Sequence, residues 1–311
     1  MVSLLTQGSI LPIQSLTNSA QLRLARRSFR RGIQSIRYGP SALQLSPVLF
    51  ANSFPKSGTH LLTQILQGFP AIGPAVNSGL PAIVSFNGQT GSPRSEAEIV
   101  SDLQRLLPGD IAYGHVHALP GTIQILTQDN IAAYFIVRDP RDVVVSHVHY
   151  ITEMAERHIH HEYFNQKLPD FSARLEASIA GVTAQDLVSA GISATRGREL
   201  PDIRSRFDPF MPWLNFPQIK LIQFEELIND RRNQLQLIMN HANQHGFQLS
   251  IPVQAALDIL EMHINPQKSP TFRSGKTGGW KTSFSPQHKQ LFKQVSGDLL
   301  QRLGYESSDD W

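Results

Sequence analysis

The sequence predicts an α/β domain with a central, mostly parallel sheet flanked by helices. After Pro47, short apolar runs alternate with helix-like segments, the order expected of parallel strands joined by crossover helices. The chain has 311 residues, of which 41% are hydrophobic, enough for one large domain with a substantial core. The absence of cysteine excludes a disulfide-stapled scaffold, and the ordinary apolar fraction excludes a chain that is disordered throughout.

The predicted strands are short apolar runs, and the predicted helices follow them with helical periodicity. The strands cover residues 48–52, 111–114, 133–137 and 219–224. The helices cover residues 59–68, 97–107, 141–157, 232–245 and 286–303. Residues 73–93 and 169–212 are weakly periodic or rich in Gly, Ser and Pro, so they are predicted to form loops or lids.

Charge is distributed unevenly along the chain. Residues 1–95 contain eight Lys or Arg and no Asp or Glu, so this third carries +8, whereas the remainder carries −5. Such asymmetry indicates an anionic partner near the N-terminal third, and a nucleotide, a nucleic acid and a lipid surface all fit it. A nucleic acid is disfavoured because aromatic residues are not interleaved with the basic run, where Phe29 stands alone.

We divide the chain into a basic N-terminal arm, residues 1–46, and a main domain, residues 47–311. Residues 21–37 of the arm predict an amphipathic helix with six arginines. Its apolar stripe consists of Leu22, Ala25, Phe29, Ile33 and Ile36. The favoured interpretation is a helix packed on the domain with solvated arginines; weak membrane-surface contact and an organelle transit segment are the alternatives.

The chain is predicted to be cytoplasmic. Its longest clearly apolar stretch, residues 131–137, is far shorter than the roughly 20 residues that span a bilayer. The N-terminus also lacks the compact apolar core of a signal peptide.

The first chemical signal is the segment Phe-Pro-Lys-Ser-Gly-Thr-His at residues 54–60, which lies between a predicted strand and a predicted helix. A glycine-containing turn at such a junction directs backbone N–H groups and the positive end of the helix dipole at one point, which suits a phosphate. Lys56 adds a full positive charge. The candidate phosphate-binding residues are therefore Lys56, Ser57, Gly58, Thr59 and His60.

This segment resembles the 5′-phosphosulfate loop of the sulfotransferases that use 3′-phosphoadenosine 5′-phosphosulfate (PAPS). The family has a second motif that binds the 3′-phosphate, an Arg at a strand end and a Ser eight residues later. Arg138 and Ser146 match it, although Arg138 could instead only pair with Asp142. The resemblance implies a P-loop-kinase-like sulfotransferase fold for the main domain.

Residues 273–284 resemble the family's third motif, whose first residues wrap the 3′-phosphate. Arg273, Ser274 and Gly275 are carried over as binding residues, but Ser274 stands where the family usually has Lys, and Gly279 where it usually has Asp. Phe224 replaces a tyrosine of the family and is carried over as a binding residue. Leu61 replaces an aromatic residue that often stacks on adenine, so adenine is expected to be held differently.

The general base is predicted to be His115. An acceptor hydroxyl or amine must lose a proton, and imidazole accepts one near neutral pH. His115 ends a predicted strand, the position of the base in the family, and His117 is the second candidate. His158, His160 and His161 lack the carboxylate and cysteine framework of a metal site, so no metal is predicted.

The resemblance implies in-line transfer of the sulfuryl group from PAPS, as co-substrate, to a hydroxyl or amine of a small-molecule acceptor. His115 would act as base, Lys56 would stabilise the leaving phosphate, and Ser146 would engage Lys56 until the acceptor arrives. The alternatives are a nucleotide-kinase-like phosphotransferase and a non-catalytic nucleotide- or anionic-surface-binding protein. The GKT sequence at 275–277 does not favour the kinase, because Pro270 occupies the position of the required earlier glycine. The acceptor and the oligomeric state stay open.

Overall fold

The predicted parallel sheet is confirmed. In a computed structural model, which describes residues 20–87, 90–192, 199–269 and 275–311, six strands form one sheet in the order β2-β4-β1-β5-β6, and β3 also pairs with β4. Every pairing is parallel. The strands are β1 Val48–Ser53, β2 Val76–Asn77, β3 Ile83–Val84, β4 Asp110–His115, β5 Ile131–Val137 and β6 Ile219–Gln223.

Helices cover both faces of the sheet, as the alternating pattern predicts. The helices before β5 are α1 Ala20–Tyr38, α2 Pro40–Leu45, α3 Thr59–Leu66, α4 Phe69–Ile72, α5 Glu96–Gln104 and α6 Pro120–Leu126. Those between β5 and β6 are α7 Pro140–His149, α8 Phe171–Ala180, α9 Ala184–Ser189 and α10 Ile203–Phe207. Those after β6 are α11 Phe224–Asn229, α12 Arg231–Gln244, α13 Val253–Met262, α14 Trp280–Ser283, α15 Pro286–Ser296 and α16 Leu299–Arg302.

The central position of β1 determines where the site can form. Its six residues are buried, and it lies between β4 and β5. Two separate apolar clusters fill the two sides of the sheet, one including Phe50 and Phe135 and the other including Leu49 and Tyr134. Because the strands are parallel, the segments that follow β1, β4, β5 and β6 meet at one edge.

Two predicted helices are interrupted in the structure. The helix predicted over residues 286–303 breaks at Gly297, whose φ of 54° lies in the left-handed region, giving α15 and α16. The helix predicted over 141–157 ends at His149 and continues as a π-helical turn, Tyr150–Met154.

The prediction of a loop over 169–212 was wrong, because capped short helices form there. Asp170, Thr183 and Asp202 cap α8, α9 and α10.

Helix α1 is present and packs on the domain as predicted, and Arg26 and Arg37 are exposed, but Arg27, Arg30 and Arg31 contact the domain rather than solvent. Its apolar stripe faces solvent, with Phe29 71% and Ile36 89% exposed. The arginine face packs on the domain instead: Arg27 is buried, and both Arg27 and Arg31 form ion pairs with Asp110. No helix of the described residues is long and apolar enough to cross a membrane. The division of the chain at residues 46 and 47 stays a prediction.

Asp110 is the anchor of this docking. It is fully buried at the start of β4, where it pairs with both arginines and accepts a hydrogen bond from the backbone N–H of Leu107 at 2.8 Å. The ion pair joins residues that are 83 positions apart in the sequence. It therefore fixes the arm helix against the edge of the sheet.

We expect Asp110→Ala to lower the free energy of unfolding by about 3–5 kcal/mol, the range for removing one partner of a buried ion pair. Urea denaturation followed by circular dichroism measures the change. Asp258→Ala is the control, because Asp258 pairs with Arg232 on an exposed surface, and its loss should change stability far less. Equal losses in the two variants would show that the buried pair does not anchor the helix.

Candidate active site

A cavity of about 590 Å³ lies at the carboxyl edge of the sheet, and its volume is in the range of small-ligand sites. The segments after β1, β4, β5 and β6 all contribute to its walls. Among the predicted site residues, those that line it are Lys56, Gly58, Thr59, His60, His115, Arg138, Ser146, Phe224 and Gly275. The edge therefore brings together three motifs that are spread over more than 200 residues of the sequence.

The loop between β1 and α3 has a left-handed backbone. Lys56 has a φ of 70° and Gly58 a φ of 103°, and Gly58 immediately precedes α3. Gly58 is also required by packing, since an added Cβ would lie 2.6 Å from the ring of Phe224 and 3.1 Å from Ile136. The loop thus packs against β5 and against the residue that follows β6.

The N-terminus of α3 opens into this cavity. Thr59, His60 and Leu61 form its first turn and line the cavity wall. The first backbone N–H groups of a helix have no partner within the helix and carry its positive dipole end. Burial, and then the positive charge of Lys56, lower the pKa of His60, so this turn keeps a neutral imidazole beside the lysine.

Lys56 lies beside the helix that carries the predicted Ser146. Its Nζ atom is 4.0 Å from the centroid of the Tyr150 ring, a cation–π contact. Ser146 and Tyr150 lie one helical turn apart after β5, and both line the cavity. The lysine therefore lies on the same wall as Ser146.

Arg138 follows β5 and is held from three sides. One guanidinium nitrogen donates to the carbonyl oxygen of Lys276 at 2.8 Å and lies 3.5 Å from the carboxylate of Asp142. The guanidinium also lies 4.7 Å from the centroid of the Phe224 ring. Its buried Nε atom has no hydrogen-bond partner among the described residues. The pairing with Asp142 therefore leaves a donor available to a ligand.

Asp142 attaches the third motif to α7. Its carboxylate accepts hydrogen bonds from the backbone N–H groups of Gly278 at 2.8 Å and Trp280 at 2.9 Å. The family usually has an aspartate at the position of Gly279, and here Asp142 supplies a carboxylate that holds this loop. Glu225 does the same for the second motif, because it accepts a hydrogen bond from the backbone N–H of Asp139 at 3.1 Å.

The His115 ring is oriented by the end of β1. Its Nδ1 lies 2.9 Å from the carbonyl oxygen of Ser53 and 3.0 Å from the Ser53 hydroxyl. A carbonyl oxygen only accepts, so Nδ1 carries the proton and Nε2 is left as the acceptor. The Ser53 hydroxyl is also 2.7 Å from that of Thr59, the first residue of α3. This network joins the predicted base to the phosphate loop.

Burial is the main cause that lowers the pKa of His115; the hydrogen bond to Ser53 opposes it, and the charges of His60 and Lys56 add to it. His115 is therefore neutral near pH 7, the form that a base requires.

His117, the second candidate base, has a different environment. Its ring packs between Phe86 and Phe210, and burial lowers its pKa to about 4. The geometry thus favours His115 over His117.

Three of the predicted site residues are not among those that line the cavity. Ser57 is fully buried, and its hydroxyl has no hydrogen-bond partner within the described part of the chain. Arg273 and Ser274 lie outside the described residues. Within the described ranges, no group of three or more His, Cys, Asp or Glu side chains is arranged to hold a metal ion.

Several residues that line or support the cavity were not predicted. Ser53 ends an apolar strand, and its only sequence signal is a hydroxyl directly before the phosphate loop. Tyr150 follows Ser146 at helical spacing, which is a signal that could have been used. Arg231 adds a further cation to the wall, and its buried Nε has no partner among residues 20–87, 90–192, 199–269 and 275–311. It begins α12, outside the three motifs.

No protein-family model and no curated protein matches the sequence. Solved structures do match. A crystal structure of a mouse sulfotransferase complexed with PAP has a TM-score of 0.53 at 16% identity, with 86% of this chain and 90% of that chain covered. This chain has the sulfotransferase fold.

Two further structures have the sulfotransferase fold in common with this chain. Retinol dehydratase in complex with androsterone and the inactive cofactor PAP has a TM-score of 0.52 at 16% identity. Retinol dehydratase in complex with retinol and PAP has a TM-score of 0.50 at 15% identity. In both comparisons the alignment covers 83% of each chain. The fold expected from the three motifs is therefore confirmed.

We expect the pKa of His115 to lie below 6.5 in the free protein, because burial and neighbouring positive charge both disfavour imidazolium. The Cε1 proton of His115, followed by NMR against pH, measures it, with His115→Gln for the assignment. Lys56→Ala should raise this pKa because one of the positive charges is removed. A pKa at or above 6.5 in the wild type would contradict the environment described for the ring.

Proposed function

We propose that this chain is a PAPS-dependent sulfotransferase that transfers the sulfuryl group to a hydroxyl or amine of a small-molecule acceptor. The observation that carries the proposal is the shared cavity, in which the phosphate loop, Arg138 with Ser146, and a neutral His115 meet. The similar structures supply independent support, since all three contain PAP. We also propose the cytoplasm as its location, as the sequence predicts.

The residues of the cavity fit a donor with two phosphate positions. Lys56, Gly58 and Thr59, in the motif expected to hold the 5′-phosphate, line the cavity. Arg138, in the motif expected to hold the 3′-phosphate, has a buried Nε without a partner among the described residues. The Phe224 ring packs on Gly58 and under Arg138, so it is proposed to contact the nucleotide base. Arg231 is proposed as an additional phosphate contact, compensating for the lysine that Ser274 replaces.

PAPS supplies the sulfuryl group, whose transfer breaks the bond to the 5′-phosphate. His115 is proposed to take the proton of the acceptor at Nε2, while Nδ1–H stays bonded to the Ser53 carbonyl oxygen. Lys56 and the N–H groups at the start of α3 are proposed to stabilise the negative charge that develops on the phosphate side. Ser146 is proposed to engage Lys56 before the acceptor binds. These cationic and N–H groups provide the neutralisation that a metal provides in other phosphate sites.

A small apolar acceptor suits the cavity. Two of the similar structures contain androsterone or retinol. Tyr113, Tyr150 and Ile264 line this cavity together with the predicted base. We therefore propose an apolar small molecule that carries the reacting hydroxyl or amine.

We expect Lys56→Ala and His115→Ala each to reduce turnover at least ~100-fold, the lower range for losing a positioned charge or base. The assay follows conversion of PAPS to PAP with a panel of phenols, alcohols and amines. Lys167→Ala and His245→Ala are matched controls, because both residues lie outside the cavity; Lys167 is exposed, and His245 is half-buried directly after α12. Near-normal turnover in either active-site variant would remove the role proposed for that residue.

A further inference from the structure

Helix α1 carries its apolar face on the outside. Phe29, Ile33 and Ile36 are 71%, 46% and 89% exposed, and Ala25 is exposed beside them. With 3.6 residues per turn, these side chains and Leu22 follow one line along the helix. The line from residue 22 to residue 36 is about 21 Å long at ~1.5 Å per residue. We refer to Leu22, Ala25, Phe29, Ile33 and Ile36 as the outer stripe.

The opposite face of the helix is already occupied by the domain. Arg27 and Arg31 pair with Asp110, and Arg31 also donates to the carbonyl oxygen of Pro108 at 2.9 Å. Arg30 donates to the carbonyl oxygen of Asn77 at 3.0 Å. Turning the outer stripe inward would break these contacts and leave Asp110 buried without a counter-charge, which is costly. The outward orientation of the stripe is therefore fixed.

Positive charge borders the outer stripe. Arg26 and Arg37 are exposed, and on a helical wheel they lie next to Ile33 along one side of it. The helix contains no acidic residue, and neither does any other part of residues 1–95. A surface that covers the stripe must therefore accept both apolar side chains and arginines.

We propose that the outer stripe docks α1 on an anionic membrane surface. A helix with Phe and Leu or Ile on one face and arginines beside them lies in the interface plane, with its apolar side chains in the headgroup and acyl boundary. Arg26 and Arg37 then reach lipid phosphates. Pairing two copies of the chain through the stripe is disfavoured, because it brings arginines of both copies together without an acidic partner on the helix. This inference does not depend on the proposed activity.

Vesicle co-sedimentation of the full chain tests the proposal. The probes are phosphatidylcholine vesicles with and without about 30% phosphatidylglycerol, the anionic component that attracts basic segments. We expect the chain to sediment with the anionic vesicles, and the bound fraction to fall as salt is raised from ~0.05 to ~0.5 M. Phe29→Ser with Ile36→Ser should weaken binding at least ~tenfold, since two exposed apolar side chains no longer enter the interface.

A second variant, Arg26→Gln with Arg37→Gln, tests the role of charge. We expect its binding to anionic vesicles to weaken roughly fivefold per arginine, and its bound fraction to depend less on salt than that of the wild type. Val188→Ser and Arg302→Gln are the matched controls, because both residues are exposed on other helices, and both should bind as the wild type does. Thermal unfolding checks that the variants fold.

Three results would overturn the proposal. The first is a wild type that stays in the supernatant with both vesicle types. The second is a Phe29→Ser, Ile36→Ser variant that binds as the wild type does. The third is a wild type that light scattering shows to be a dimer and that does not bind vesicles, together with a double variant that is a monomer. The stripe would then join two copies of the chain.

Discussion

The parallel register of β1 with β4 and β5 is the constraint on which the site depends. Asn52 pairs with Gly114 and Ser53 with Ile136, so the strand ends that carry the predicted base and the second motif lie beside the start of the phosphate loop. Because side chains alternate between the faces of a strand, a one-residue slip would move Ser53 away from His115. The burial of β1 prevents that slip, since all six of its residues are buried and the first four belong alternately to the two apolar clusters.

The same register connects the donor side of the cavity to the acceptor side. The Ser53 hydroxyl contacts both Thr59 at the start of α3 and Nδ1 of His115, so the base and the phosphate loop share one polar network. Gly58 makes a second connection, because only a residue without Cβ admits Phe224 at that distance. Asp142 makes a third by holding the backbone of Gly278 and Trp280. Local sequence elements thus acquire a common geometry through contacts between strand ends.

The sequence was sufficient to predict the four longer strands of the sheet and nine of the residues that line the cavity, because buried strands and the turn at 54–60 leave local patterns. The two-residue strands β2 and β3 lie in the segment predicted as a loop, since they are too short to leave such a pattern. The sequence was insufficient for the arm helix: periodicity identifies an apolar stripe but not the side that faces the domain, and that choice depends on Asp110, far away in the sequence. Arg231 and Ser53 were missed because their place in the site depends on contacts with residues that are distant in the sequence. The helices within 169–212 were missed because three short segments with individual caps produce little periodicity.

The central claim is that this edge of the sheet binds the PAPS nucleotide, and thermal stability with 3′,5′-adenosine bisphosphate tests it most directly. A ligand that binds only the native state stabilises it by mass action, by about 2.7 kcal/mol at 100 times Kd. The account predicts a rise in Tm that AMP and ATP with Mg²⁺ do not produce, and that Arg138→Ala abolishes. No rise, or a preference for ATP with Mg²⁺, would contradict it and favour the kinase-like or non-catalytic alternative.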